Sequence, residues 1–115
     1  MRGFFDGKLE YCSYVGEDDD YNAVYKKYTV DGAAIREIFA VDEESVEGCG
    51  VTVYFFPNRS RCTDSEGSRA AFPRPKAGDL CILRSGEDDE RIMRVAEIGY
   101  FTAAGDSSHI RMKLR

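Results

Sequence analysis

No apolar run in these 115 residues approaches the roughly 20 needed to cross a bilayer as a helix. Met1 to Asp6 lack the longer apolar segment and the small-residue cleavage site of a signal peptide. The expected location is therefore inside a cell, or in a particle assembled there, with no membrane partner. The four cysteines, Cys12, Cys49, Cys62 and Cys81, form no Cys-x-x-Cys pair, and the single histidine, His109, lies far from them in sequence. Structural zinc gathers its ligands in close pairs, so no metal is expected. Disulfides would need an oxidising compartment, for which no targeting signal is present. There is no phosphate-cradling glycine loop, no Gly-x-Ser-x-Gly elbow and no His-Glu-x-x-His. The 21 acidic residues always offer a carboxylate pair somewhere, and such a count has almost no specificity. The expectation is a protein that is not an enzyme and has no cofactor.

A basic excess is missing too. The formal net charge is −5, which does not favour gripping phosphate backbones through the overall field. The charge is unevenly spread. Residues 1–57 carry 12 acidic and 5 basic side chains, whereas residues 58–115 carry 11 basic and 9 acidic. A local basic patch is open to Arg59, Arg61, Arg69, Arg74 and Lys76. Acidic clusters fall at 17–20, 42–47 and 87–90.

What is present is a globular composition, 43% hydrophobic and 32% charged, in a chain that suits one domain with one modest core. Its patterning is that of strands. Residues 8–15 put Leu9, Tyr11, Ser13 and Val15 on one face and Cys12 and Tyr14 on the other. Cys12 and Cys81 sit in strand-like runs and read as small buried apolar residues. Asp18, Asp19 and Asp20 follow in a solvated turn. They lack the alternating acids, central glycine and distal glutamate of an EF-hand loop, and a weak cation site is the alternative. Residues 24–30 are rich in aromatic and β-branched side chains. Asp31-Gly32 then makes either a hairpin turn or a bulge in one long bent strand continuing to Phe39. Residues 33–41 favour strand, with helix as the alternative. Residues 42–50 form an acidic loop bounded by glycine.

Residues 51–56 have the strongest β propensity in the chain, apolar on both faces, and Pro57 stops them. Residues 58–78 form a long polar and basic connection, of the kind that is usually functional or mobile. It is the favoured interaction element, against a floppy excursion or a short helix around residues 65–71. Pro73 and Pro75 exclude a helix just beyond, and Gly78-Asp79 gives a turn. Residues 80–83 and 92–98 flank a charged Gly-containing loop and read as a hairpin, whose tip is solvated unless it serves to present charge. Residues 109–115 alternate, with Ile110, Met112 and Leu114 inward. They pair with residues 95–101, and their outward charges guard an edge. The fold class expected is all-β, a small antiparallel barrel or sandwich forming a single domain over residues 1–115, with a long inserted loop at about 58–78.

Several segments carry a family resemblance. Val24-Tyr25-Lys26-Lys27-Tyr28-Thr29-Val30-Asp31-Gly32, Val51-Thr52-Val53-Tyr54-Phe55-Phe56-Pro57, Pro75-Lys76-Ala77-Gly78-Asp79-Leu80 and the closing stretch from Asp106 to Leu114 with its histidine together resemble small minor structural proteins of tailed bacteriophages. These are of the head–tail connector, head-completion or stopper type. The resemblance implies a small β-barrel with an inserted loop, assembling as a homo-oligomeric ring between portal and tail, in the virion or the bacterial cytoplasm. It implies portal, adaptor or tail proteins and other copies of itself as partners. Residues 58–76 would then reach the channel or a neighbouring ring. The acidic loops would face DNA non-specifically and let it slide. Two other classes compete. One is an acidic DNA-mimic inhibitor of a nucleic-acid enzyme, with carboxylates along one face. The other is a small β-barrel binding module with an exposed aromatic groove around Tyr54 and Phe56.

Overall fold

A computed structural model describes residues 7–38, 50–84, 90–102 and 108–115. Cys49, the acidic loop at 42–47, the tip of the charged hairpin at 85–89 and most of the turn at 105–108 lie outside the described residues. So do Phe39 and Val41.

Among the described residues seven antiparallel strands follow one another: β1 (Gly7–Glu17), β2 (Ala23–Ile38), β3 (Gly50–Phe55), β4 (Arg61–Asp64), β5 (Leu80–Arg84), β6 (Glu90–Phe101) and β7 (His109–Leu114). No helix occurs among the described residues, and the alternation read from the sequence is realised as sheet. The ladders run β1-β5-β6-β7-β3-β2, and β2 pairs back onto β1, so six strands close into a ring with β4 added on the flank of β2. Closure is what a small sheet needs to hide its edges.

One strand makes this closure. β2 continues straight through Asp31-Gly32, the bent-strand alternative and not the hairpin. Its first part pairs with β1, from Ala23 to Ala33, and its last part with β3, from Ala34 to Ile38. At the junction Gly32 takes a φ of 78° and drops out of register. A side chain there would be strained, so glycine lets the strand turn the barrel's corner. Residues 33–38 are thus strand, and the helical alternative does not form.

Inward positions fill the barrel. Leu9 and Tyr11 from β1, Val30 and Ala33 from β2, Val51, Val53 and Phe55 from β3, Cys81 and Leu83 from β5, Val95 from β6, and Met112 and Leu114 from β7 are all buried in one cluster. Cys12 is buried as well. β7 lies between β3 and β6, not at an edge, so its outward Arg111 and Lys113 are solvated face residues and guard no edge.

The inserted stretch between β3 and β5 is more ordered than a bare loop. It carries β4, a tight turn at 64–68 and the bridge Thr63–Arg69, so a short helix at 65–71 does not form. The Asp64 carboxylate heads the turn, accepting hydrogen bonds from the Glu66 and Ser68 amides at 2.9 and 3.0 Å. Ser60 Oγ donates to the Gly32 carbonyl at 2.9 Å, tying the start of β4 to the β2 bend. Beyond the turn Phe72 lies on the core, stacked on Phe55 at 4.0 Å and tilted against Tyr11 at 5.1 Å. The two prolines keep this segment extended while the phenylalanine closes the barrel mouth.

Candidate functional site

The β1–β2 hairpin is longer than the barrel needs. β5 pairs with β1 only from Leu9 to Cys12, and β4 pairs with β2 only from Tyr28 to Asp31. From Ser13 to Glu17 and from Ala23 to Lys27 the described ladder is two strands wide. A two-stranded ribbon is marginal in water by itself, and this one exposes apolar side chains. Tyr14, Val15, Tyr21 and Val24 all stand in solvent, Val15 at 60% and Tyr21 at 84% exposure. Val15 does not join the core face of Leu9 and Tyr11. The register slips between Tyr14 and Gly16, and by then the ribbon has left the barrel. Val24 lies on the face that carries Tyr28 and Val30, so the arm extends the core's own apolar stripe into water.

The root of the arm is fixed by a buried carboxylate. Asp79 is fully buried, and the Tyr11 hydroxyl donates to its Oδ2 at 2.5 Å. The Lys76 amide donates to the same oxygen at 3.1 Å, and the Tyr14 amide donates to Oδ1 at 2.9 Å. The Asp79 backbone carbonyl accepts from the Val95 amide at 2.8 Å. One residue therefore joins β1, the turn before β5 and β6. The turn itself depends on Gly78, whose φ of 95° suits only glycine comfortably. Burial first, then the Asp79 hydrogen bond, pushes the Tyr11 phenol far above its usual pKa. Lys76 Nζ donates to the Tyr14 carbonyl at 2.5 Å and lies 5.9 Å from the Tyr14 ring centre. Tyr14 and Tyr25 meet edge to face at 5.8 Å. A shallow cleft of about 310 Å³ between Tyr14, Tyr25, Lys76, Asp79 and Arg94 marks this root.

The tip is a second Asp-headed turn. Asp18 Oδ1 accepts from the Asp20 and Asn22 amides, each at 2.9 Å. The hydrogen bond from Asn22 holds the Asp18 carboxyl below the usual carboxylate range. Asp18 thus shapes the turn, and Asp19 and Asp20 present charge outward. Tyr21 takes a φ of 64°, a left-handed conformation that is unfavourable for an aromatic residue. Strain of this kind persists where surroundings impose it and clusters at functional positions.

The other sequence-derived residues fall on separate elements. Arg59 is in the turn after β3, Arg61 opens β4, Arg69 bridges to Thr63, and all three are exposed. Arg74 lies over the Tyr100 ring at 5.9 Å, and Lys76 belongs to the arm's root. Tyr54 and Phe56 do not open into a groove. They pack on His109 at 5.8 and 5.7 Å, and His109 stacks on Phe101 at 4.8 Å with Arg111 over the same ring at 4.9 Å. Sequence reading missed Asp79, because a Gly-Asp turn looks solvated. It also missed the arm, because the pattern of exposed ribbon is that of any strand.

Among the described residues no group of three or more His, Cys, Asp or Glu side chains is placed to hold a metal ion. Among them no helix is long and apolar enough to cross a membrane. Comparison with known protein families, curated proteins and solved structures returns no match.

Proposed function

We propose that this chain is a non-enzymatic structural protein of a phage or prophage, joining head and tail by assembling with its own copies as a ring. Its neighbours are portal, adaptor or tail proteins, and it resides in the virion or the bacterial cytoplasm. The observation that carries the reading is the projecting arm. A barrel that closes its own sheet has no internal need for the eleven ribbon and tip residues 15–25, nine of them exposed, Val15, Tyr21 and Val24 included. Exposed apolar surface on a projecting two-stranded ribbon is what a subunit contact uses. Asp79, a buried carboxylate at the arm's root, has both oxygens engaged by donors and acts as a tie, not as a base. The inserted stretch with β4 lies beside the arm's base and supplies a second surface. The acidic tip suits a channel-facing or neighbour-facing position, where it repels DNA phosphates. Light scattering and negative-stain microscopy of the concentrated full chain test the reading. Rings of uniform size are expected, and a monomer at every concentration would overturn it.

A second reading, the small β-barrel binding module, draws on the exposed Tyr100 and Phe101 beside Arg74 and Arg111. It expects a monomer whose tyrosine and phenylalanine signals shift on adding an aromatic peptide or oligonucleotide.

A further inference from the structure

The ring reading leaves open which surface receives the arm, and the ladders point to one. Cys62 is buried, so its neighbours along β4, Arg61 and Thr63, face outward. Arg69 bridges to Thr63 from the far side and lies on the same outer face. On β2, Thr29 pairs with Thr63 and Asp31 with Arg61, which puts Lys27, two residues before Thr29, in the same layer. Lys27, Arg61 and Arg69 are all exposed. From β1, Lys8 and Glu10 pair with Asp31 and Thr29 and complete the face. Among the described residues, four cations therefore stand on this face against the two carboxylates of Glu10 and Asp31. This basic face contrasts with a tip that offers Glu17, Asp19 and Asp20 around an aromatic side chain.

We infer, on the ring reading above, that the arm tip of one copy docks on the outer β1–β2–β4 face of a second copy, with Asp19 and Asp20 against Lys27, Arg61 and Arg69. The occupant must be another molecule. Lys27 lies five positions along the chain from Asn22, about 17 Å from the tip, so the extended ribbon places the tip away from its own base. Complementary charge sets the register and orientation of the contact. Tyr21, 84% exposed, supplies a ring for an arginine to cover, and the stems of the second copy's Lys27 and Arg61 cover Val24. Tip and face are different surfaces, so each copy uses one and offers the other. Such a heterologous contact repeats from subunit to subunit and can close as a ring.

Two measurements test this contact. A photoreactive benzoylphenylalanine in place of Tyr21, in the otherwise unchanged full chain, should cross-link to a second chain within residues 61–69 or at Lys27. Separately, Asp19→Lys with Asp20→Lys, and Arg61→Glu with Arg69→Glu, should each weaken self-association at least about tenfold, and an equimolar mixture of the two variants should restore it. All four positions are exposed, and Asp18, which shapes the tip, is left intact. Cross-links confined to other regions, or undiminished assembly of both reversed variants, would overturn the docking while leaving a self-assembling protein. An unchanged chain that is monomeric at every concentration would overturn the ring reading and the docking with it.

Discussion

At the scale of single residues, Asp79 is the group on which the barrel and the arm both depend. Its carboxylate receives the Tyr11 hydroxyl and two backbone amides in a site closed to water. Asp79→Ala strands three donors and should cost about 3 kcal/mol or more in chemical unfolding, whereas Tyr11→Phe removes one bond and should cost about 2 kcal/mol. A loss under about 0.5 kcal/mol for Asp79→Ala would contradict the tie. Tyr21 points the other way. The hairpin turn sets its left-handed backbone, with the Tyr21 amide donating to the Asp18 carbonyl at 3.1 Å, and that conformation is a local cost for an aromatic residue. Tyr21→Asn should stabilise the isolated chain by about 1 kcal/mol, since asparagine tolerates this conformation, and should weaken self-association. A stabilised variant with unchanged assembly would show that the ring of Tyr21 takes no part in the contact.

At the scale of elements, the strands were legible and their surroundings were not. Alternation identified residues 8–15, 51–56 and 109–115 because an inward apolar position every second residue is a local property. Which strand is flanked on both sides is not local. Tyr14, Val15 and Val24 belong to a pattern that reads like core strand, and only the missing third strand shows that they face water. β7 failed in the opposite sense, since its outward charges suggested an edge where the sheet is continuous. Asp18, Asp19 and Asp20 were legible as a solvated turn, but the division between one shaping residue and two presenting ones depends on amide hydrogen bonds. The basic residues of 58–78 were legible as exposed charge, yet their separation into a β4 face, an aromatic contact at Arg74 and the arm's root at Lys76 follows from tertiary pairing. Phe72 lies in a stretch whose composition is polar and basic, and its contacts with Phe55 and Tyr11 anchor the whole segment. Phe72→Ala should cost about 2 kcal/mol, less than for a fully buried phenylalanine, because the ring is half-buried. It should also raise amide exchange across 68–76 more than across β6 and β7, which would be unequal only if Phe72 is the anchor.

At the scale of the whole molecule, ring closure through β2 makes the core cooperative, and buried acids of high pKa tie its stability to pH. Desolvation pushes the Cys81 thiol from an ordinary 9.0 up to about 12, and burial raises Cys12, Cys62 and Tyr11 as well. A group with a raised folded pKa holds its full contribution below the unfolded value. Above it the unfolded chain ionises first, and stability falls as pH climbs toward the folded value. The urea midpoint should therefore be flat through neutral pH and decline from about pH 9, and Cys81→Ala should shrink that decline. A midpoint that stays level up to pH 11 would contradict this burial.

The arm should be separable from this core, because residues 15–24 make no described ladder with any strand except each other. Replacing them by a two-residue Asn-Gly turn should leave the barrel folded. The decisive measurement is the mass in solution, by light scattering, of that shortened chain beside the intact one across the same concentrations. Multiple subunits for the intact chain and a monomer of equal thermal stability for the shortened one are the expected pair; equal masses for both would contradict a function exercised through the arm.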